Sequence, residues 1–343
     1  MKQRLKPSSA AGRDERLELL GAWLAGPLAG VPFSLAPASA DASFRRYFRV
    51  TLDTGTRIVM DAPPQREDCR PFVQVAQLMR AAGLHVPQVL AADLDRGFLL
   101  LTDLGDTTYL KALNEDNAAA LFGDAITALI AWQRASRPGV LPPYDRTLLQ
   151  REMDLFPEWY LARHLGLTLS DAQRATLAGI TTLLADSALA QPAVYVHRDY
   201  MPRNLMLSTP NPGVLDFQDA VYGPISYDVA SLFRDAFISW PEERVIDWVA
   251  RYWEQAKRAQ LPVDADFGEF YRAFEWMGLQ RHLKVLGIFA RIRYRDGKPA
   301  YLEDAPRFLV YAHAVCARYA ALKPLALLLD ALEQRAPQVG YTF

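Results

Sequence analysis

The chain has 343 residues, with 38 Lys plus Arg against 39 Asp plus Glu and 51% apolar residues. This near-neutral globular composition excludes a polyanion-binding or disordered chain, and the length suits about two domains. Two cysteines, Cys69 and Cys316, fall one in each half, which gives neither a disulfide framework nor a zinc spacing and points to a reducing, cytoplasmic setting.

Taken from the start, Arg13 to Leu24 has apolar residues at helical spacing and is read as a short capping helix. The apolar run Leu19 to Gly30 and the triplet Ala38-Ser-Ala40 resemble parts of a signal peptide. Asp14, Glu15 and Glu18 nevertheless stand where such a peptide is basic, and Pro27 and Pro32 interrupt the run. No apolar run reaches the roughly 18 residues of a membrane span, so a soluble protein with no membrane partner is expected. Ser34 to Pro37, Tyr47 to Leu52 and Arg57 to Met60 are short β-prone runs separated by polar turns, the pattern of a meander. Phe72 to Met79 has helical spacing and ends at Gly83, after which Val86 to Ala92 and Gly97 to Thr102 return to strand. Beyond Gly105 helical periods dominate, at Ala118 to Arg134, Arg151 to Leu165, Asp171 to Ala185, Asp228 to Ile238 and Glu242 to Ala259, with strands near 194 and 214. The expectation is an α+β chain in two parts, residues 1–105 and 106–343, without internal repeats.

The strongest chemical signal lies in Val196-His-Arg-Asp-Tyr-Met-Pro-Arg-Asn-Leu-Met206, followed by Val214-Leu-Asp-Phe217. Four residues separate Asp199 from Asn204, and His197 precedes the Asp by two. This is the spacing of a kinase catalytic loop, and a second Asp, Asp216, follows within a short apolar run. Phosphoryl transfer needs one carboxylate to receive the acceptor hydroxyl, here Asp199. It also needs an amide and carboxylate pair to hold magnesium on the nucleotide phosphates, here Asn204 and Asp216. His197 and Arg198 are assigned supporting roles, with Asp228 as the expected ion-pair partner of Arg198. Arg203, beside Asn204, either stabilises charge on the transferring group or pairs with a surface carboxylate.

These motifs resemble the aminoglycoside phosphotransferase and choline kinase superfamily, the small-molecule branch of the protein-kinase-like fold. Phe98-Leu-Leu-Leu-Thr-Asp-Leu-Gly105 is similar to the last N-lobe strand and hinge, and Tyr222-Gly-Pro-Ile-Ser-Tyr-Asp-Val-Ala-Ser-Leu232 to the entry into a C-lobe helix. The resemblance covers roughly residues 34 to 330. It implies a bilobal fold, with an antiparallel-sheet N-lobe carrying one helix and a mainly helical C-lobe. It also implies ATP as co-substrate and Mg2+ as cofactor. Adenine would meet the backbone of Thr102, Asp103 and Leu104. The hairpin tip Pro37 to Ser43, which has no glycine, would cover the phosphates, with Ser43 donating a hydroxyl and Arg45 or Arg46 supplying positive charge. The third strand departs from the family pattern, because Met60 stands where a phosphate-binding Lys is expected.

Asp216 is followed almost at once by Gly223-Pro224 and a helix, which leaves no room for the peptide-ordering segment of a protein kinase. A small-molecule acceptor follows. Arg281, Lys284, Arg291, Arg293, Arg295 and Lys298, with Asp296 the one nearby acid, favour an anionic or neutral acceptor over a polycation. Arg281, Lys284 and Arg291 fall on one side of a helix from Glu275, either as substrate contacts or as a solvated basic face. The stretches Asp41 to Phe48, Met60-Asp-Ala-Pro-Pro64 and Gln280 to Arg291 resemble one subgroup, the kinases that phosphorylate N-acetylmuramate and N-acetylglucosamine at C1. That resemblance implies a small-molecule sugar substrate, no nucleic-acid partner, and a monomer or weak dimer.

Overall fold

The computed structural model describes residues 14–39 and 44–333. They form two compact units, one built from the chain up to Arg70 together with Gln88–Asp103, the other from Pro71–Pro87 and the chain from Leu104 onward.

The leading part of the chain forms α1 (Glu15–Leu24), β1 (Ser34–Ser39), β2 (Arg46–Leu52), β3 (Gly55–Asp61), α2 (Arg70–Ala81), β4 (Val89–Asp93) and β5 (Phe98–Thr102). Asp14 starts α1 by accepting the Leu17 N–H at 3.0 Å, which satisfies one of the orphan donors of the first turn. The five strands make one antiparallel sheet in the order β1-β2-β3-β5-β4. Strand alternation sorts the side chains. Phe48, Val50, Val59, Phe98 and Leu100 share the face on which Leu20 and Leu24 of α1 are buried. The run Leu19 to Gly30 therefore supplies Leu20 and Leu24 to this core while Leu19 stays exposed, and each large side chain so buried contributes about 1.5–3 kcal/mol. Tyr47, Met60 and Leu99 pair across the opposite face, where Met60 is fully buried.

The second unit begins with α2, whose Phe72 ring lies 4.8 Å from that of Phe217. It continues through α3 (Tyr109–Ala112), α4 (Ala118–Arg134), α5 (Arg146–Met153), a π-helical segment Phe156–His164 and α6 (Asp171–Ala190). Then come β6 (Ala193–Val196), β7 (Leu205–Met206), β8 (Gly213–Val214), β9 (Val221–Pro224), α7 (Tyr227–Phe233), α8 (Glu242–Arg258), α9 (Phe267–Asp296), α10 (Ala305–Arg318) and α11 (Lys323–Leu332). The strands form two small antiparallel pairs, β6 with β9 and β7 with β8. Helix α9 is buried on nearly every side between Phe274 and Ala290, the signature of a central helix. At Gly287 a Cβ would sit 2.3 Å from the backbone of Leu155, so glycine is what lets the chain ahead of the π-helical segment lie directly on α9.

Two helices differ from the sequence expectation. The helix expected over 151–165 is split, because α5 starts earlier on its Asp145 cap and the chain widens into a π-helical turn at Pro157, which cannot donate to the α ladder. The helix expected over 228–238 stops at Phe233, where the Asp235 carboxylate accepts the Phe237 and Ile238 N–H groups at 2.7 and 3.0 Å and turns the chain instead.

Candidate active site

Strand β6 delivers Val196 into the loop 197–204, and β8 delivers Val214 into the segment carrying Asp216. The two loops are joined by His197. Its ring is fully buried, Nδ1 accepts the Asp199 N–H at 3.2 Å, and Nε2–H donates to the Leu215 carbonyl at 2.9 Å. Those partners require the neutral imidazole, and burial lowers its pKa to about 4. Asn204 adds a second tie, since its carbonyl accepts the Leu215 N–H at 2.9 Å. Its side-chain Nδ2 donates to the Asp199 carbonyl at 2.9 Å and lies 3.4 Å from Asp216 Oδ2. Gln218 Nε2 holds the other oxygen of Asp216 at 2.9 Å. Asp199, Asn204 and Asp216 thus come together as the sequence spacing implies. Arg198 has φ 77° and Asp216 φ 62°, left-handed conformations that cost non-glycine residues energy and are kept by the surrounding bonds.

Asp228, at the start of α7 and fully buried, accepts the His197 N–H at 2.7 Å and the Arg198 N–H at 3.0 Å. Burial pushes its carboxyl up to about 7 against those two donors. The expected ion pair between Arg198 and Asp228 is corrected here: Asp228 takes the backbone of Arg198, while the guanidinium pairs with Glu152 of α5. Glu152 also accepts from the Tyr144 hydroxyl, and from Lys284 of α9 at 3.0 Å. Burial alone would raise the Glu152 carboxyl, but Lys284, Arg198 and Tyr144 outweigh it and hold it near about 2. Sequence reasoning missed Glu152. The available signal was its place between Leu149, Met153 and Phe156 on the buried side of a helix.

The basic residues of α9 separate. Arg281 is buried, and its guanidinium donates to the Arg234 carbonyl at 3.4 Å and contacts Met201 Sδ of the 197–204 loop at 3.8 Å. Lys284 is buried on Glu152 and on the Tyr227 hydroxyl, at 2.9 Å from the latter. A solvated basic face is excluded for these two. Arg291 lies further along α9, half-buried among Arg295, Asp296 and Glu158. Arg203 stacks over the Phe237 ring at 5.0 Å, beside the turn held by Asp235.

In the first unit the two hairpin arginines have different partners. Arg46 lies on the α1 face, bound to Asp61 at 2.9 Å and to Asp14. Arg45, one residue earlier, pairs with Glu67 at 2.9 Å. At the expected hinge, Thr102 Oγ1 accepts the Gln88 N–H at 2.9 Å and Asp103 is bound by Arg49 at 2.7 Å, so both side chains have internal partners. Leu104 packs against Gly213, where a Cβ would approach it to 2.9 Å. Ser43 lies outside the described residues.

An antiparallel five-stranded sheet, a mainly helical unit, and a His-x-Asp loop facing an Asn and a strand-end Asp define a phosphotransferase of kinase-like fold. The chain belongs to the phosphotransferase enzyme family, whose sequence profile matches residues 34–269. An N-acetylmuramate/N-acetylglucosamine kinase from Pseudomonas putida is 56% identical over 333 residues, covering 94% of this chain and 98% of that protein. Among solved structures, a choline/ethanolamine kinase family protein from Mesorhizobium loti superposes with TM-score 0.60 at 14% identity, covering 92% of this chain and 99% of the other. A thermostable aminoglycoside phosphotransferase in ternary complex with AMP-PNP and hygromycin B superposes with TM-score 0.59 at 16% identity, covering 89% and 98%. At those identities the structures establish the fold, and no helix among the described residues is long and apolar enough to cross a membrane.

Proposed function

We propose that this phosphotransferase is an ATP-dependent sugar kinase that transfers the γ-phosphoryl group to the anomeric 1-hydroxyl of N-acetylmuramate or N-acetylglucosamine. The observation that carries the reading is the joined set of Asp199, Asn204 and Asp216 in a chain 56% identical, nearly end to end, to a kinase named for those sugars. Asp199 orients the acceptor hydroxyl and takes its proton late in a loose, in-line transfer. A hemiacetal hydroxyl is more acidic than an ordinary alcohol, which eases its loss of the proton to Asp199.

Asn204 and Asp216 would hold Mg2+. Asp216 offers carboxylate oxygens and Asn204 its Oδ1, the oxygen donors a hard cation takes, while the Asn204 Nδ2 holds the two side chains together at 3.4 Å. When bound, the ion would supply positive charge for those phosphates. The part of the chain up to residue 105 is the proposed nucleotide-covering lobe, and the part from 106 the catalytic and sugar-binding lobe. Adenine is assigned to the backbone of Thr102, Asp103 and Leu104, whose side chains at 102 and 103 have internal partners. The Arg45 and Glu67 pair takes the part of the Lys and Glu pair that Met60 cannot make. Arg203 is assigned to charge on the transferring phosphoryl group, and Arg281, through its approach to Met201, to the acceptor.

The test is steady-state turnover with magnesium ATP across N-acetylmuramate, N-acetylglucosamine, choline and an aminoglycoside. The reading expects kcat/KM to be highest for the two amino sugars. A higher value for choline or the aminoglycoside would overturn it.

A further inference from the structure

Glu152 contributes nothing to the proposed chemistry directly, yet it is the most heavily bonded carboxylate behind the catalytic loop. Its Oε1 takes the Arg198 guanidinium and, at 3.0 Å, the Lys284 ammonium. Its Oε2 takes the Tyr144 hydroxyl and lies 3.5 Å from Gln280 Nε2. Four segments of the second unit therefore converge on one buried side chain: α5, the chain before it, the catalytic loop and α9. Arg198 is held from two sides, its N–H by Asp228 and its guanidinium by Glu152, in the left-handed conformation that no glycine relieves. A second bond from that guanidinium reaches the Asp219 carbonyl at 3.3 Å, just beyond Asp216. Arg198 immediately precedes Asp199, so any change in its φ swings the Asp199 carboxylate.

We infer that Glu152 is a positioning residue for phosphoryl transfer: by gripping Arg198 it fixes the backbone that aims Asp199, and through Lys284 it locks that loop to the central helix α9. The inference rests on the proposed role of Asp199. It also gives Lys284 a place in the scaffold of the site, with its ammonium already shared between Glu152 and Tyr227.

The charge count supplies a test that separates aiming from folding. Glu152, Arg198 and Lys284 together carry one net positive charge. Glu152→Gln leaves two cations without a counter-charge in a buried site, whereas Glu152→Gln with Lys284→Met returns the net charge to its starting value. Full-length wild type, Glu152→Gln, the double variant and Asp199→Asn are compared for thermal stability, for kcat, and for KM of the nucleotide. The expected result is a stability loss in Glu152→Gln that the double variant largely recovers. In both, kcat stays down by about 100-fold, the scale of a reacting group misplaced by an ångström, with nucleotide KM nearly unchanged. Recovery of kcat together with stability in the double variant, or a kcat within about threefold of wild type in folded Glu152→Gln, would overturn the inference and leave Glu152 as a stability residue. If Asp199→Asn itself turned over normally, the role of Asp199 would fall first, and the aiming role with it.

Discussion

Asp61 and Glu152 are both buried carboxylates, each gripped by two cations, and they differ in what the cations belong to. Asp61 takes Arg16 from α1 and Arg46 from β2, so its ion pairs staple a helix to the sheet it covers. Glu152 takes Lys284 from α9 and Arg198 from the 197–204 loop, so its ion pairs fasten the loop of the proposed base Asp199 to a central helix. The same electrostatic device serves assembly in the first unit and aiming in the second. It also explains why two adjacent arginines have different prospects. Arg46 is turned toward α1 and bound to Asp61 and Asp14, while Arg45, just ahead of the strand, pairs with Glu67.

The largest effect that would sharpen this contrast belongs to the aimed group itself. Asp199→Asn is expected to lower kcat by about a thousand-fold while nucleotide affinity, measured by calorimetry, stays near wild type. Asp216→Asn should instead weaken magnesium-dependent nucleotide binding by at least about tenfold, with little change in nucleotide binding when magnesium is absent. The arginine pair comes next. Arg45→Gln is expected to raise nucleotide KM about tenfold, the worth of one charge-assisted bond, and Arg46→Gln to leave it unchanged. Equal effects from the two would erase the distinction between these neighbouring arginines. On the assembly side, Asp61→Asn should lower stability by about 2 kcal/mol in denaturant unfolding without changing turnover of the folded protein. The figure is below that of a fully buried pair because Arg16 and Arg46 keep 29% and 38% of their side chains exposed.

The smallest effect is a titration. His197 is held neutral by burial, so its ring should protonate near about pH 4 in an NMR titration. A histidine whose pKa is depressed on folding contributes stability that is fully present above its ordinary value near 6.5 and is lost as pH falls toward 4. Titration at its ordinary pH would mean that the tie to Leu215 is not made in solution.

What could be read from the sequence was local. Asp199, Asn204 and Asp216 are brought together by a short loop and a short strand pair, so spacing along the chain carries the geometry. The strands β2 and β3 were equally legible as β-prone runs between polar turns, although Val59, Met60 and Asp61 of β3 are buried in succession rather than alternately. The partners of Arg198 and Asp61 were not. Glu152 and Arg16 are distant in sequence, and nothing in a one-dimensional pattern says which carboxylate a buried arginine meets. The burial of Arg281 and Lys284 was hidden for a related reason. A helical wheel sets charged residues against solvent, but between Phe274 and Ala290 α9 is buried on nearly every side, and Arg281 and Lys284 meet partners from other elements. The early stop at Phe233 came from a carboxylate turn at Asp235 that competes with helix continuation, a contest that apolar spacing does not record.

The central claim is transfer of a phosphoryl group to the sugar 1-hydroxyl, and phosphorus NMR of the product formed from magnesium ATP and N-acetylmuramate tests it most directly. The account predicts a sugar 1-phosphate resonance coupled to the anomeric proton. A phosphate on any other hydroxyl, or ATP consumed with no phosphorylated sugar, would contradict it.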